Sequence, residues 1–280
     1  MSAAVINSFK LGCVVFVVAF GCRLVYLLQS CVGPEFLNPV VDAYIYNRLA
    51  EGLAKGTLSG DIFWQPIFCP IILAGIYTFL PGFIWAAKLV QVVAGSATCV
   101  LTFLLGRQVF SQREGFVAGL ILAFYGPVIF IESELLGEVW ALLWSVLLVH
   151  FLFRAAKREG SSLDLLGVGV SGILAVLARP PLMAVFMCGC VGLLIVMLRH
   201  SSLRVALVQM CVIAVGFGLP AFIVAGLNQK LTGTFSIMPY SAGINLYIGN
   251  NPDWEKTVTA RPGTRWDAIT SMPADVGIRA

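Results

Sequence analysis

Five ionisable side chains stand out in a sequence of 280 residues that is otherwise strongly apolar. Two are carboxylates: Asp42 follows the first apolar run, and Glu138 opens the fourth. Three are cations: Arg23 lies in the first run, Lys88 early in the second, and Arg179 directly after the fifth. A carboxylate can take a proton from a hydroxyl group or hold a divalent metal ion, and arginine or lysine can bind phosphate. Because ionisable groups at membrane depth are costly, all five are candidates for function.

Several of these residues also have a purely structural interpretation. Asp42 precedes a helical pattern, and aspartate is a favoured residue for capping a helix. The two cations of the first two runs could extend their side chains to the lipid headgroups. The acids around the fourth run cannot all serve one site if their segment is helical, because Glu134 and Glu138 share a face and Glu132 points away.

The composition decides which elements position these residues. Hydrophobic residues make up 59% of the chain, charged residues 11%, and the mean hydropathy is +0.92. Soluble domains carry about 25% charged residues, so the composition predicts an all-α membrane protein. The net charge of +4 is small and scattered, which excludes a nucleic-acid partner. About seven stretches are predicted to cross the membrane: 11–29, 83–106, 115–131, 136–153, 163–178, 181–198 and 205–227.

Two further helices are predicted between the first and second spans. Residues 69–82 are apolar but few, and they lie between proline-containing turns, which is typical of a helix in the membrane interface. Another helix is predicted to begin near Asp42, because Tyr46, Ala50 and Leu53 follow at helical spacing.

The basic residues predict the orientation. With seven crossings, the side of the membrane that holds Lys10 also holds the loops with Arg107, Arg154 and Arg199, and the positive-inside rule makes that side cytoplasmic. The N-terminus is then cytoplasmic, and the candidate residues lie near the outer boundary. We therefore expect a transmembrane module over residues 1–227, with an external loop at 30–82, and an external region over 228–280.

Several motifs occur in a characteristic order along the chain: PVVDAYIY at 39–46, FWQP at 63–66, LGR at 105–107, LARP at 177–180 and GINLYIGNN at 243–251. This ordered set resembles the GT-C class of polyprenyl-phosphate-sugar glycosyltransferases. It is most similar to the bacterial family-39 type, related to protein O-mannosyltransferases and to the lipid A aminoarabinose transferase. The resemblance covers nearly the whole chain.

The resemblance implies a role for each candidate residue. Asp42 would be the catalytic acid of the first external loop, acting as a general base or orienting a metal ion, and Glu138 a second catalytic acid. Arg179, Arg23 and Lys88 would bind the phosphate of the substrate. The remaining substrate-binding residues would be Tyr46, Gln65, Asn245 and Asn250.

The resemblance also implies the partners and the location. The donor would be a polyprenyl-phosphate-linked sugar, the acceptor a protein or a lipid, and the setting the lipids of the plasma (inner) membrane. No cofactor is implied with certainty, and a divalent metal ion stays open. Two departures matter: Asp42 is followed by Ala43 where many relatives carry an Asp-Glu pair, and Gln65 stands where some relatives have lysine. Relatives generally continue well past this length, so the chain is expected to be an N-terminal fragment.

Two other classes of protein compete with a transferase. A transporter or lipid flippase would place charges near the midplane of the membrane, in broken helices related by internal repeats. This sequence instead gathers its charges near one boundary and has no visible repeat. The other alternative is an inactive, truncated transferase.

Overall fold

The computed structural model describes residues 3–57, 60–157 and 161–252. It is 80% helical, and the described residues contain no strand, which confirms the prediction of an all-α membrane protein. The helices are α1 (Ala3–Ser30), α2 (Val41–Ala54), α3 (Phe68–Phe79), α4 (Ile84–Val109), α5 (Gln112–Ala123), α6 (Gly126–Ser133), α7 (Glu138–Ala155), α8 (Ser162–Ala178), α9 (Leu182–His200), α10 (Leu203–Thr232) and α11 (Ser241–Gly249), with a short 3-10 helix at Gly60–Phe63.

The number of membrane-spanning helices is lower than predicted. Among the described residues, five helices are long and apolar enough to cross, namely α1, α4, α7, α9 and α10, and the bent pair α5–α6 makes a sixth if it counts as one span. The expectation of about seven is therefore too high. The difference lies in α8, whose 17 residues extend about 26 Å, against a hydrocarbon core of roughly 30 Å.

The span predicted at 115–131 is broken. Helices α5 and α6 meet at an angle of 54°. Proline stands in the first turn of α6, and its ring and missing N–H prevent α5 from continuing through it. The bend ends one helix early and starts a new one in another direction, so that α6 packs against both α1 and α4.

Helices α7 and α8 form an antiparallel hairpin with an ion pair at each end. Arg154, in the last turn of α7, has its Nε 2.6 Å from Oδ1 of Asp164, in the first turn of α8. At the other end, Arg179 follows α8 and pairs with Glu138, which opens α7. Each acid is thus at a helix N-terminus and each arginine at a C-terminus, where the helix dipole favours them.

The two helices predicted in the first loop are present. Helix α2 begins at Val41 and packs on α3 through fully buried side chains, Tyr46 and Ala50 from α2 and Leu73 from α3. The Tyr77 hydroxyl donates to Asn47 Oδ1 over 2.6 Å and links α3 to α2 a second time. This helix pair packs against the end of the α7–α8 hairpin that carries Glu138.

The chain after α10 returns to the same end of the molecule. Helix α10 ends at Thr232 and is capped by Gly233. The φ of Gly233 is 80°, the left-handed conformation that glycine adopts readily. The Tyr240 hydroxyl donates to Asn228 Oδ1 over 2.9 Å, and the backbone N–H groups of Tyr240 and Ser241 donate to the carbonyls of Phe63 and Trp64. The two segments that the sequence predicted to be external, 30–82 and 228 onward, therefore lie together in their described parts. Residues 253–280 lie outside the described residues.

Candidate active site

The ion pair between Glu138 and Arg179 is set by a close backbone approach. A Cβ atom on Gly137 would lie 3.1 Å from the carbonyl oxygen of Ala178, so the start of α7 and the end of α8 approach closely and a larger residue at 137 would be tight. Glu138 and Arg179 follow these two residues directly and meet side by side. Both side chains are about one-third exposed, 35% and 33%, so a ligand can reach the pair. Oε2 of Glu138 is buried and has no hydrogen-bond partner among the described residues.

Asp42 does not cap its helix. The residue preceding α2 is Val40, and α2 has no capping hydrogen bond from a side chain. Asp42 lies inside the first turn, half-buried, and its Oδ1 accepts a hydrogen bond of 3.3 Å from Gln65 Nε2. The capping interpretation of Asp42 is thus wrong, and its carboxylate is left with a neutral amide as its partner.

The backbone is strained directly before Asp42. Val41 has a φ of 52°. Among the described residues, no other residue except glycine has a positive φ. A β-branched side chain at positive φ is a true outlier, and such strain costs about 1–3 kcal/mol. Such backbone strain persists only where the surrounding structure holds the backbone in place. The surroundings therefore fix the position of Asp42 in the first turn of α2.

Tyr46 connects Asp42 to the ion pair. It lies one turn after Asp42, is fully buried, and its hydroxyl is 3.9 Å from where a Cβ of Gly137 would lie. Burial raises the pKa of Tyr46 well above its usual range; the Arg179 charge opposes this, and Asp42 adds to it. The phenol therefore stays protonated, and its oxygen has no hydrogen-bond partner among the described residues. Tyr46, which the resemblance predicted to bind substrate, is fully buried next to Asp42 and the start of α7.

Lys88 lies at the same end of the molecule but is covered. Its side chain is 2% exposed, and Nζ lies 4.2 Å from the centre of the Phe36 ring, a cation–π contact. One turn further along α4, Gln91 Nε2 donates to the carbonyl of Glu134 over 2.8 Å. Gln91 thus holds the segment that leads into Glu138. Gln91 was not among the residues predicted to form the site; the signal available for it was an amide within an apolar span.

Arg23 is placed apart from these residues. Its Nε lies 2.6 Å from Glu132 Oε2, and the two side chains are 1% and 3% exposed. A Cβ on Gly95 would lie 2.4 Å from that carboxylate oxygen, so α4 leaves room for the pair by having glycine there. Glu132, a loop acid by its position in the sequence, is instead the buried counter-ion of Arg23. Arg23 was the feature of the sequence that indicated this pair, because an arginine within a membrane span needs a partner for its charge.

The last two predicted substrate-binding residues lie on or after α11. Asn250 is exposed, and its Nδ2 donates to the carbonyl of Leu246 over 2.9 Å, within its own segment. The side chain of Asn245 lies outside the described residues. The backbone N–H of Ser241, at the start of α11, nevertheless donates to the carbonyl of Trp64. The start of α11 therefore lies beside Gln65, which bonds Asp42.

The structure thus brings five of the predicted residues to one place, where α2 meets the open end of the α7–α8 hairpin. We call Asp42, Gln65, Tyr46, Glu138 and Arg179 the rim cluster. Within the described parts of the chain, no three His, Cys, Asp or Glu side chains come together as a metal site. The cluster offers carboxylates of two kinds, one balanced by an arginine and one not.

Comparison with known protein families gives a match over the middle of the chain. Residues 65–224, more than half of the chain, match the family model of dolichyl-phosphate-mannose-protein mannosyltransferases. With the helical membrane fold, this match defines a membrane glycosyltransferase of the GT-C type. The chain belongs to the dolichyl-phosphate-mannose-protein mannosyltransferase family. No curated protein and no solved structure matches it. The matched range includes Gln65, Glu138 and Arg179; Asp42 precedes it.

Proposed function

We propose that the protein transfers a sugar from a polyprenyl-phosphate donor to a hydroxyl group of a protein or lipid acceptor at the external face of the membrane. One observation carries this proposal: a half-buried carboxylate, Asp42, lies at the end of the molecule where an accessible arginine, Arg179, is held by Glu138. The family's name adds a mannosyl donor and a protein acceptor as the first pair to test.

Asp42 is proposed as the general base. The acceptor oxygen attacks the anomeric carbon as its proton passes to the Asp42 carboxylate, and the bond from that carbon to the phosphate oxygen breaks. The configuration at the carbon is inverted. Gln65 occupies Oδ1 and leaves Oδ2 for the acceptor hydroxyl.

Arg179 is proposed to stabilise the leaving group. Polyprenyl phosphate gains a full negative charge as it departs, so a cation beside it acts more strongly in the transition state than on the bound substrate. Glu138 orients the guanidinium, which remains one-third exposed. Tyr46 packs beneath both groups as a positioning residue. Lys88 contributes its charge from behind Phe36 rather than by contact.

The sidedness belongs to the proposal. The rim cluster lies at one end of the α7–α8 hairpin, while Arg154 and Lys157 lie at the other end of α7. The positive-inside rule assigns the second end to the cytoplasm, and the rim cluster is then external. With α5 and α6 counted together as one span, the N-terminus is cytoplasmic in the plasma (inner) membrane.

Cell-free transfer tests the proposal directly. Purified protein in liposomes is given a radiolabelled polyprenyl-phosphate sugar and an acceptor, without any ion gradient. Labelled acceptor that depends on Asp42 is expected. Movement of the intact donor across the bilayer with no labelled product would instead identify a transporter or flippase.

A further inference from the structure

A polar cavity lies at the end of the α7–α8 hairpin opposite the rim cluster. Its volume is about 800 Å³, and it is lined by the last turns of α4 and α7 and the first turn of α8. The polar side chains around it include Arg107, Gln108, His150 and Lys157. The proposed transfer reaction uses none of them. A ligand in this cavity would therefore be independent of the proposed function.

The cavity carries an excess of positive charge. Asp164 is the acid that lines the cavity, and both of its carboxylate oxygens already have hydrogen-bond donors. Oδ1 accepts from Arg154, and Oδ2 accepts from the backbone N–H and the hydroxyl of Ser161. Arg107 and Lys157 are exposed and form no ion pair within the part of the chain that the structure describes. Two cations therefore remain to neutralise a ligand.

The wall also holds polar atoms that lack partners. Gln108 Nε2 and His150 Nδ1 are both buried, and neither has a hydrogen-bond partner among the described residues. Leaving a buried polar group unpaired costs about 1–3 kcal/mol, so such atoms need a ligand or water. In this structure both atoms are enclosed by protein, so the Gln108 and His150 side chains must turn before they can donate to the oxygens of a phosphate group.

The surroundings of the cavity favour a lipid over a soluble phosphate. Large apolar side chains beside the lining residues are exposed: Phe110 is 76% exposed, Leu163 77% and Phe153 45%. They follow or flank Gln108, Asp164 and Arg154 in the chain. A phosphate group at this place would have apolar surface directly beside it, which is where acyl chains would lie.

We propose that this cavity binds the headgroup of an anionic phospholipid. Its phosphodiester oxygens pair with the exposed side chains of Arg107 and Lys157. Gln108 and the Nδ1–H tautomer of His150 turn toward the headgroup and donate to the same oxygens. Basic pockets between membrane helices bind such headgroups in general. The site is at the end of the α7–α8 hairpin that the sugar-transfer proposal leaves unused.

Native mass spectrometry of the full chain in a zwitterionic detergent tests this site. The probes are short-chain phosphatidylglycerol, phosphatidylcholine of the same chain length, and glycerol 3-phosphate. Phosphatidylglycerol is expected to bind tightest. The double variant Arg107→Gln/Lys157→Gln should weaken its binding by about 30-fold, because each basic side chain near an anionic headgroup contributes roughly fivefold.

The matched control is Arg199→Gln/Arg204→Gln, which removes two exposed cations that do not line the cavity. It should bind phosphatidylglycerol like the unaltered protein. Equal weakening in both double variants would overturn the site, and so would equal affinity for phosphatidylcholine. Glycerol 3-phosphate binding as tightly as phosphatidylglycerol would overturn the assignment to a lipid. The single variant Lys157→Gln, with an expected fivefold loss, decides the matter if the double variant does not fold.

Discussion

Gln65 Nε2 donates a hydrogen bond of 3.3 Å to Asp42 Oδ1, joining the segment before α3 to the first turn of α2. The donor is a neutral amide, so it orients the carboxylate without cancelling its charge. Glu138 has the opposite arrangement, since Arg179 balances it. This difference in partner separates the proposed roles: Asp42 can take a proton, and Glu138 holds the arginine in place.

Replacing the Asp42 carboxylate is expected to stop transfer. Asp42→Asn keeps the shape and removes the base, which should lower the rate of sugar transfer by about 10²–10⁴-fold. The measurement is cell-free transfer per folded molecule. Glu51→Gln is the matched control, because Glu51 lies on the same helix and its Oε1 bonds Asn47. An Asp42→Asn protein with full activity would remove Asp42 from the mechanism.

The guanidinium of Arg179 is expected to matter more than its charge. Arg179→Lys retains a cation but loses the planar group that pairs with Glu138 and with phosphate oxygens. We expect at least a tenfold loss in kcat, and a larger loss for Arg179→Gln. If Arg179→Lys had full activity, the residue would serve only as a point charge near the membrane.

The pair of Arg23 and Glu132 is expected to act on stability rather than on transfer. Glu132→Gln leaves a buried cation without its counter-ion, which should cost about 3–5 kcal/mol. The double variant Arg23→Leu/Glu132→Leu should regain much of this loss. Unfolding in detergent measures both. Activity per folded molecule should be unchanged in the double variant; if the loss of activity there is large, Arg23 belongs to the phosphate site after all.

Alkaline pH is expected to destabilise the protein through its buried tyrosines. Burial raises the pKa values of Tyr46 and Tyr77 above the ordinary 10.0. The unfolded chain then loses its phenolic protons at a lower pH than the folded one, so stability is complete below pH 10 and falls as the pH rises further. Thermal unfolding between pH 8 and 11 should show Tyr46→Phe losing less stability than the unaltered protein. Identical slopes would mean that Tyr46 is solvated in the folded state.

The sidedness is testable by labelling single cysteines introduced into a cysteine-free variant. Tyr44 is 52% exposed and lies two residues after Asp42, and Lys157 is exposed at the far end of α7. A membrane-impermeant maleimide added outside the cell should label Tyr44→Cys and not Lys157→Cys. The reverse pattern would place the rim cluster in the cytoplasm and refute transfer at the external face.

Much of this architecture follows from local patterns in the sequence. Helices α2 and α3 could be predicted because the signals for them are local. These signals are the spacing of apolar residues along the chain and the prolines near the ends of a short apolar segment. Apolar length likewise located the spans. It overestimated their number, because α8 and the bent pair α5–α6 are apolar without being long and straight.

The contacts between spans were harder to predict. The rotation of each helix about its axis decides that Glu132 faces Arg23 while Glu138 faces Arg179, and the nearly uniform apolarity of the spans does not encode that rotation. The fit of Gly95 around the Glu132 carboxylate and the positive φ of Val41 depend on packing across the chain in the same way. The five residues of the rim cluster were all named from the sequence, but which of the named residues would meet could not be predicted.

The order of charges along the α7–α8 hairpin also fixes the register of the two helices. At one end the acid is on α7 and the arginine on α8, and at the other end the arginine is on α7 and the acid on α8. A slip of one helical turn, about 5.4 Å, would break both pairs at once. The two pairs therefore hold the end with Arg154 and the end with Arg179 at one spacing along the hairpin.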